Sequence, residues 1–182
     1  LFLCGFKNDE NVNNCYLTFS GDKNYSIGET NRLPEGAEKY RVVKTDNGEV
    51  NTTRLDGYRI LYKNEKGVPV VNMKVELSDE DSAKNDKIQL IANLDYLNRH
   101  SIGMEPLIEK EVNGFKIYGS SRASIDQGAT QSTFLIFVKN TVIYLYFNNL
   151  KAEYRTYADL VEYKKQRDNF IIAYTKYLSS CK

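Results

Sequence analysis

The chain has 182 residues, 41% of them hydrophobic and 27% charged, a balance that belongs to globular domains and excludes the disordered and low-complexity classes. Its 25 Lys and Arg against 24 Asp and Glu leave a net charge of +1, too even for a protein built to neutralise nucleic acid. No apolar run approaches the roughly 20 residues of a spanning helix, which excludes a helical transmembrane span.

The opening Leu1-Phe2-Leu3-Cys4-Gly5 is apolar and gives way at once to a polar stretch over residues 7–14. It reads either as a short strand or tag remnant, or as the end of a secretory signal. Leu1 stands three residues before Cys4, as in a bacterial lipoprotein signal, which makes Cys4 a candidate for lipidation. The bulky Leu3 departs from that pattern, and cleavage after Gly5 fits equally. The remaining cysteines, Cys15 and Cys181, sit near opposite ends and form a candidate disulfide. Three reduced thiols in a cytosolic protein is the alternative. No Cys-x-x-Cys pair or Cys/His cluster exists, so a structural zinc site lacks its ligands. Asn24-Tyr25-Ser26 and Asn51-Thr52-Thr53 match the glycosylation pattern, which an Asn-rich chain also produces by chance.

Residues 1–36 read as an N-terminal segment, mostly loop, with a possible strand over 16–19. Residues 37–182 read as a single α+β domain. Two hairpins come first. Residues 40–44 and 49–54 flank the turn Asp46-Asn47-Gly48, and residues 58–62 and 68–77 flank Asn64 to Gly67. In the last of these strands Val71, Met73, Val75 and Leu77 alternate with Asn72, Lys74 and Glu76, which predicts one buried and one wet face. A helix follows, capped by Ser78 or Ser82 and ended before Gly103, with Asp79, Glu80 and Asp81 at its positive end. Its apolar stripe is Ile88, Leu90, Ile91, Leu94 and Leu97.

Two more hairpins are predicted, over residues 106–112 and 115–118 around Asn113-Gly114, and over 133–138 and 141–147 around Lys139-Asn140. The second pair is apolar on both faces and belongs in the middle of the sheet, with a layer on each side. The closing helix starts near Thr156, where Thr156 and Asp159 form a capping-box pattern. Leu160, Tyr163, Phe170, Tyr174 and Tyr177 line one face, and Arg167 falls within that stripe. These elements make an antiparallel β-sheet of successive hairpins with two main helices packed on it. The order of elements, with residues 114–118 and the 134–147 hairpin leading into a long terminal helix, resembles the Mog1/PsbP-like sandwich. The resemblance covers residues 40–180, and it implies a binding or assembly role.

Catalytic signatures are missing. The only histidine, His100, falls at a helix end, where it complements the dipole. No nucleophile elbow, H-E-x-x-H, Walker loop or dinucleotide fingerprint occurs, and no cofactor is implied. The run Asp79-Glu80-Asp81 lacks the register of a calcium loop. Gly119-Ser120-Ser121-Arg122 offers a small polar strand end with a candidate anion contact at Arg122. The polar loop over 124–132, with Asp126 and Gln127, is a candidate recognition surface. Tyrosine occurs 14 times and tryptophan not at all; Tyr154, Tyr157 and Tyr163 with Arg167 are candidate contact residues around the last helix.

The expectation is a non-enzymatic protein that binds another protein, such as an immunity or inhibitor protein occluding a partner's active site. It is expected to be exported, periplasmic or lipid-anchored in a bacterium, with a cytoplasmic location as the alternative. Two other functions stay open: a small-ligand or lipid carrier with a pocket between sheet and helices, and a hydrolase using dispersed carboxylates.

Overall fold

Successive hairpins and two helices form an antiparallel α+β fold, described in the computed structural model over residues 11–19, 22–34, 40–45, 48–101, 104–124, 129–148 and 156–181. The strands are β1 (Tyr25–Arg32), β2 (Tyr40–Thr45), β3 (Gly48–Asn64), β4 (Pro69–Ser78), β5 (Ile108–Val112), β6 (Phe115–Ser124), β7 (Ala129–Val138) and β8 (Thr141–Asn148). The helices are α1 (Glu80–His100), between β4 and β5, and α2 (Tyr157–Leu178). The sheet order is β1-β3-β4-β8-β7-β6-β5, with β2 paired to the first part of β3. Of the expected hairpin turns, Asp46-Asn47 lies outside the described residues, and the other three have residues at positive φ, Gly67 at 73° among them. Asn113 and Gly114 sit at φ 51° and 82° between β5 and β6, and Lys139 at φ 51° between β7 and β8.

One pair of expected strands is a single long one. Residues 49–54 and 58–62 belong together to β3, which pairs with β2 through its first part and with β1 through its last. Leu55-Asp56-Gly57 is not a turn. It carries an irregularity in the pairing with β4, between Arg54 and Asp56, and the chain continues. At Gly57 an added Cβ would meet the end of the Leu33 side chain at 2.6 Å, so any larger residue there would push that side chain aside.

The sheet is the middle of three layers. Ile60, Tyr62, Val71, Met73, Ile136, Ile143 and Leu145 face α2, which contributes Phe170, Ile171, Tyr174 and Leu178 to the larger core. The alternate positions Tyr118, Leu135, Val142 and Tyr144 face α1 and pack around Leu94. The central β8 and its neighbour β7 are therefore apolar on both sides, as their sequences predict. The face expected to be wet is covered over part of its length. Asn72 is exposed, but Glu76 and Ser78 are buried because α1 crosses the sheet there.

The helix itself departs from its expected stripe. Only Leu94 is buried, Leu90 and Ile91 are half-buried, and Ile88 and Leu97 are exposed. Its start is held by polar groups instead. Asp79, rather than either serine, is the N-cap: its carboxylate accepts from Ser82 N at 2.9 Å and from Ser82 Oγ at 2.6 Å. Ser82 Oγ in turn accepts from Thr53 N of β3 at 2.8 Å. The capping box at Thr156 and Asp159 forms as expected.

The N-terminal segment packs onto the α2 side. A 3-10 turn (Asn14–Tyr16) stands where residues 16–19 were expected to be extended. Val12, Tyr16, Leu17 and Phe19 enter the larger core, with Phe19 set edge-to-face on Phe170 and Tyr174. Tyr62 Oη donates to Leu17 O at 3.2 Å, and Tyr174 Oη donates to Tyr16 O at 2.7 Å. Asp56, buried beneath the segment, accepts from Val12 N at 3.0 Å and from Arg32 Nε at 3.1 Å. A disulfide joins Cys15 to Cys181 and fastens the segment to the end of α2.

Candidate functional site

The residues singled out in the sequence do not gather at one place. Tyr163 and Arg167 lie one turn apart on α2, and both are buried. Tyr163 Oη donates to the Phe147 carbonyl at 2.6 Å and lies 2.9 Å from Ser132 Oγ. Arg167 Nη1 donates to Ser121 Oγ at 3.0 Å, its Nε pairs with Asp168, and its guanidinium carbon stands 5.3 Å from the Phe134 ring centre. Ser121 and Ser132, opposite each other on β6 and β7, are 2.8 Å apart. This polar network fastens α2 to the sheet, and neither side chain presents a contact surface.

Arg122 follows Ser121 along the strand and so belongs to the opposite face of the sheet. Gly119-Ser120-Ser121-Arg122 is no terminal nest, since β6 pairs with β7 through all four residues. Tyr157 opens α2 and is fully at the surface, 75% exposed. Asp126, Gln127, Tyr154 and Cys4 lie outside the described residues. Among the described residues no group of three or more His, Cys, Asp or Glu stands close enough to hold a metal ion, and no helix is long and apolar enough to cross a membrane.

Two surface features emerge that sequence reasoning missed. The first is the outer side of α1. Ile88, Ala92 and Tyr96 follow at four-residue spacing, so they stand one above another along the helix. Ile88 is 71% and Tyr96 58% exposed, and the Tyr96 ring stacks on His100 with centroids 4.1 Å apart. The sequence signal was present: Ile88 is an apolar residue at a position whose helical neighbours four and eight residues on are also non-charged. Helical periodicity assigns it to the inward stripe instead.

The second is a groove of about 480 Å³ on the part of the sheet that α1 leaves open, lined by β1, β3, β4 and β8. Glu29, Asn31, Arg59, Asn72, Lys74 and Tyr146 contribute to its walls. Below it, Glu76 is shared by two cations, with Arg54 Nη1 at 3.0 Å and Lys74 Nζ at 3.3 Å. The Lys74 ammonium also lies 4.1 Å from the Tyr144 ring centre. No sequence spacing could bring these residues together, because the grouping depends on the cross-strand register. Comparison with protein-family models, with curated proteins and with solved structures finds no match for this chain.

Proposed function

We propose that the protein is an exported, non-enzymatic binder of another protein, of the immunity or inhibitor kind, which covers its partner's working surface. The observation that supports this reading most is the apolar row on the outside of α1. Ile88 and Tyr96 stand exposed on a helix face that is uncovered among the described residues, which suits burial against a partner, and the aromatic makes an anchor. The mixed charges beside it, with Glu80 and Asp81 near Lys84 at one end and Asp95 with Arg99 at the other, form a polar rim. The Cys15–Cys181 disulfide fits an oxidising compartment, which supports export.

The test compares the wild-type chain with the doubly substituted Ile88→Asp, Tyr96→Asp chain as immobilised baits for proteins from the native secretions or periplasm. The expected result is a protein retained by the first and lost by the second. Its affinity for the purified variant should fall by on the order of a hundredfold, as removal of an interface anchor gives, while the melting temperature stays the same. A partner that binds both chains equally would overturn the assignment of this face. Retention of nothing at all by the wild-type chain would overturn the binding role.

A further inference from the structure

We propose that the groove over β1, β3, β4 and β8 is a binding site for a carboxylate, held between Arg59 and Lys74. It is separate from the outer row of α1 and does not depend on it.

The strand register carries the argument. Arg59 of β3 and Lys74 of β4 are directly opposite each other. Like charges in that position repel and weaken a sheet, and an anion between or beside them relieves the repulsion. Among the described residues the carboxylate paired with Lys74 is Glu76, which also serves Arg54. Arg59, exposed at the surface, has no ion-pair partner among the described residues, and it lines the groove. Two cations, Arg59 and Lys74, thus face a groove whose lining residues include one carboxylate, Glu29.

The site is also pre-arranged. Lys74 is held over the Tyr144 ring with only 14% of its side chain exposed, so little freedom is lost when an anion meets its ammonium. Asn31 lies opposite Arg59 on β1, and its amide donates to Glu29 Oε1 at 2.8 Å. Asn72 adds a second amide, and the Tyr146 ring gives an apolar wall. A guanidinium matches the planar fork of a carboxylate through two parallel hydrogen bonds. Glu29 in the same groove repels any anion in proportion to its charge, which favours a singly charged carboxylate over a doubly charged phosphate.

Two sources share this chemistry, the chain end of a peptide and a small organic acid. Amide resonances of the labelled protein would be followed at constant ionic strength during additions of acetyl-dialanine, acetyl-dialanine amide, butyrate and inorganic phosphate. Saturable shifts confined to β1, β3, β4 and β8 are expected with the two carboxylates and not with the amide. Tighter binding of acetyl-dialanine than of butyrate identifies a peptide end, and the reverse order a small acid. Arg59→Gln should weaken the carboxylate response by on the order of tenfold or more. In carboxylate-free buffer the same variant should melt at the wild-type temperature or above it, because repulsion from Lys74 is relieved. Equal shifts with the amide, no shifts with either carboxylate, stronger binding of phosphate, or an unaltered response in Arg59→Gln would each overturn the proposal.

Discussion

Arg167 shows how a charged side chain is accommodated inside a helix–sheet interface. Its stem runs among apolar neighbours while Ser121 and Asp168 take its donors, and Phe134 lies against its charged plane. The sequence places Arg167 within the buried stripe of α2, and its packed stem follows from that. Its partners do not, because Ser121 and Ser132 are brought together by the pairing of β6 with β7. Tyr163 belongs to the same network and gives the test at this level. Tyr163→Phe should cost about 1–2 kcal/mol, since the Phe147 carbonyl loses a buried donor. Urea unfolding would show this as a lower midpoint with an unchanged slope. Combined with Arg167→Met, the loss should be smaller than the sum of the two single losses, because both side chains act through Ser132.

α1 is held by its ends more than by its middle. Asp79 caps the start, Ser78 meets Asp86 at 3.4 Å, and Ser120 Oγ donates to Asn98 Oδ1 at 2.8 Å near the finish. The helix runs over a sheet face that is apolar at β6, β7 and β8 but charged at β3 and β4. Helical periodicity alone therefore overstates its inward stripe, as Ile88 and Leu97 show. Partial burial pushes the Asp79 carboxyl up, but the hydrogen bonds from the Ser82 hydroxyl and from backbone N–H groups outweigh it and hold the group below its usual 3.8. A value lowered by folding stabilises fully above the ordinary one and loses that effect as pH falls through the lowered one. Asp79→Ala should cost about 1 kcal/mol at neutral pH, the usual worth of an N-cap. The difference from wild type should shrink as pH drops below 3.8, read as converging melting temperatures.

Across the molecule the central position of β7 and β8 was legible, since strands apolar on both faces need cover on both. The continuity of β3 was not, because a glycine beside a charged residue resembles a turn until Asp56 is seen to be buried under the N-terminal segment. That segment is fixed to the core by tyrosines, and alkaline pH tests its attachment. Burial raises the Tyr62 hydroxyl well above its ordinary 10.0, only partly offset by the bond from Phe19 N, and burial raises Tyr174 likewise. Groups raised in this way stabilise fully below pH 10 and lose the effect as pH climbs beyond it, while the unfolded chain ionises freely. Stability should therefore fall above pH 10. A spectrophotometric titration should show at least two tyrosines ionising only as the protein unfolds. Replacement of Cys15 and Cys181 by serine should lower stability by up to about 5 kcal/mol, the loop-closure value for a sequence separation of 166. The check is urea unfolding of the oxidised, reduced and substituted chains.

The same bond decides how the protein carries mechanical load. A pull applied through residues before Cys15 and after Cys181 passes from one sulfur to the other, and the sheet lies outside the line of tension. About 600 Å of extended chain, 166 residues at roughly 3.6 Å each, stays hidden from the pulling device until the sulfurs are separated. A protein tethered near its N-terminus and drawn by its C-terminus would thus behave as a short, inextensible link, and a reductant would turn it into a long and yielding one.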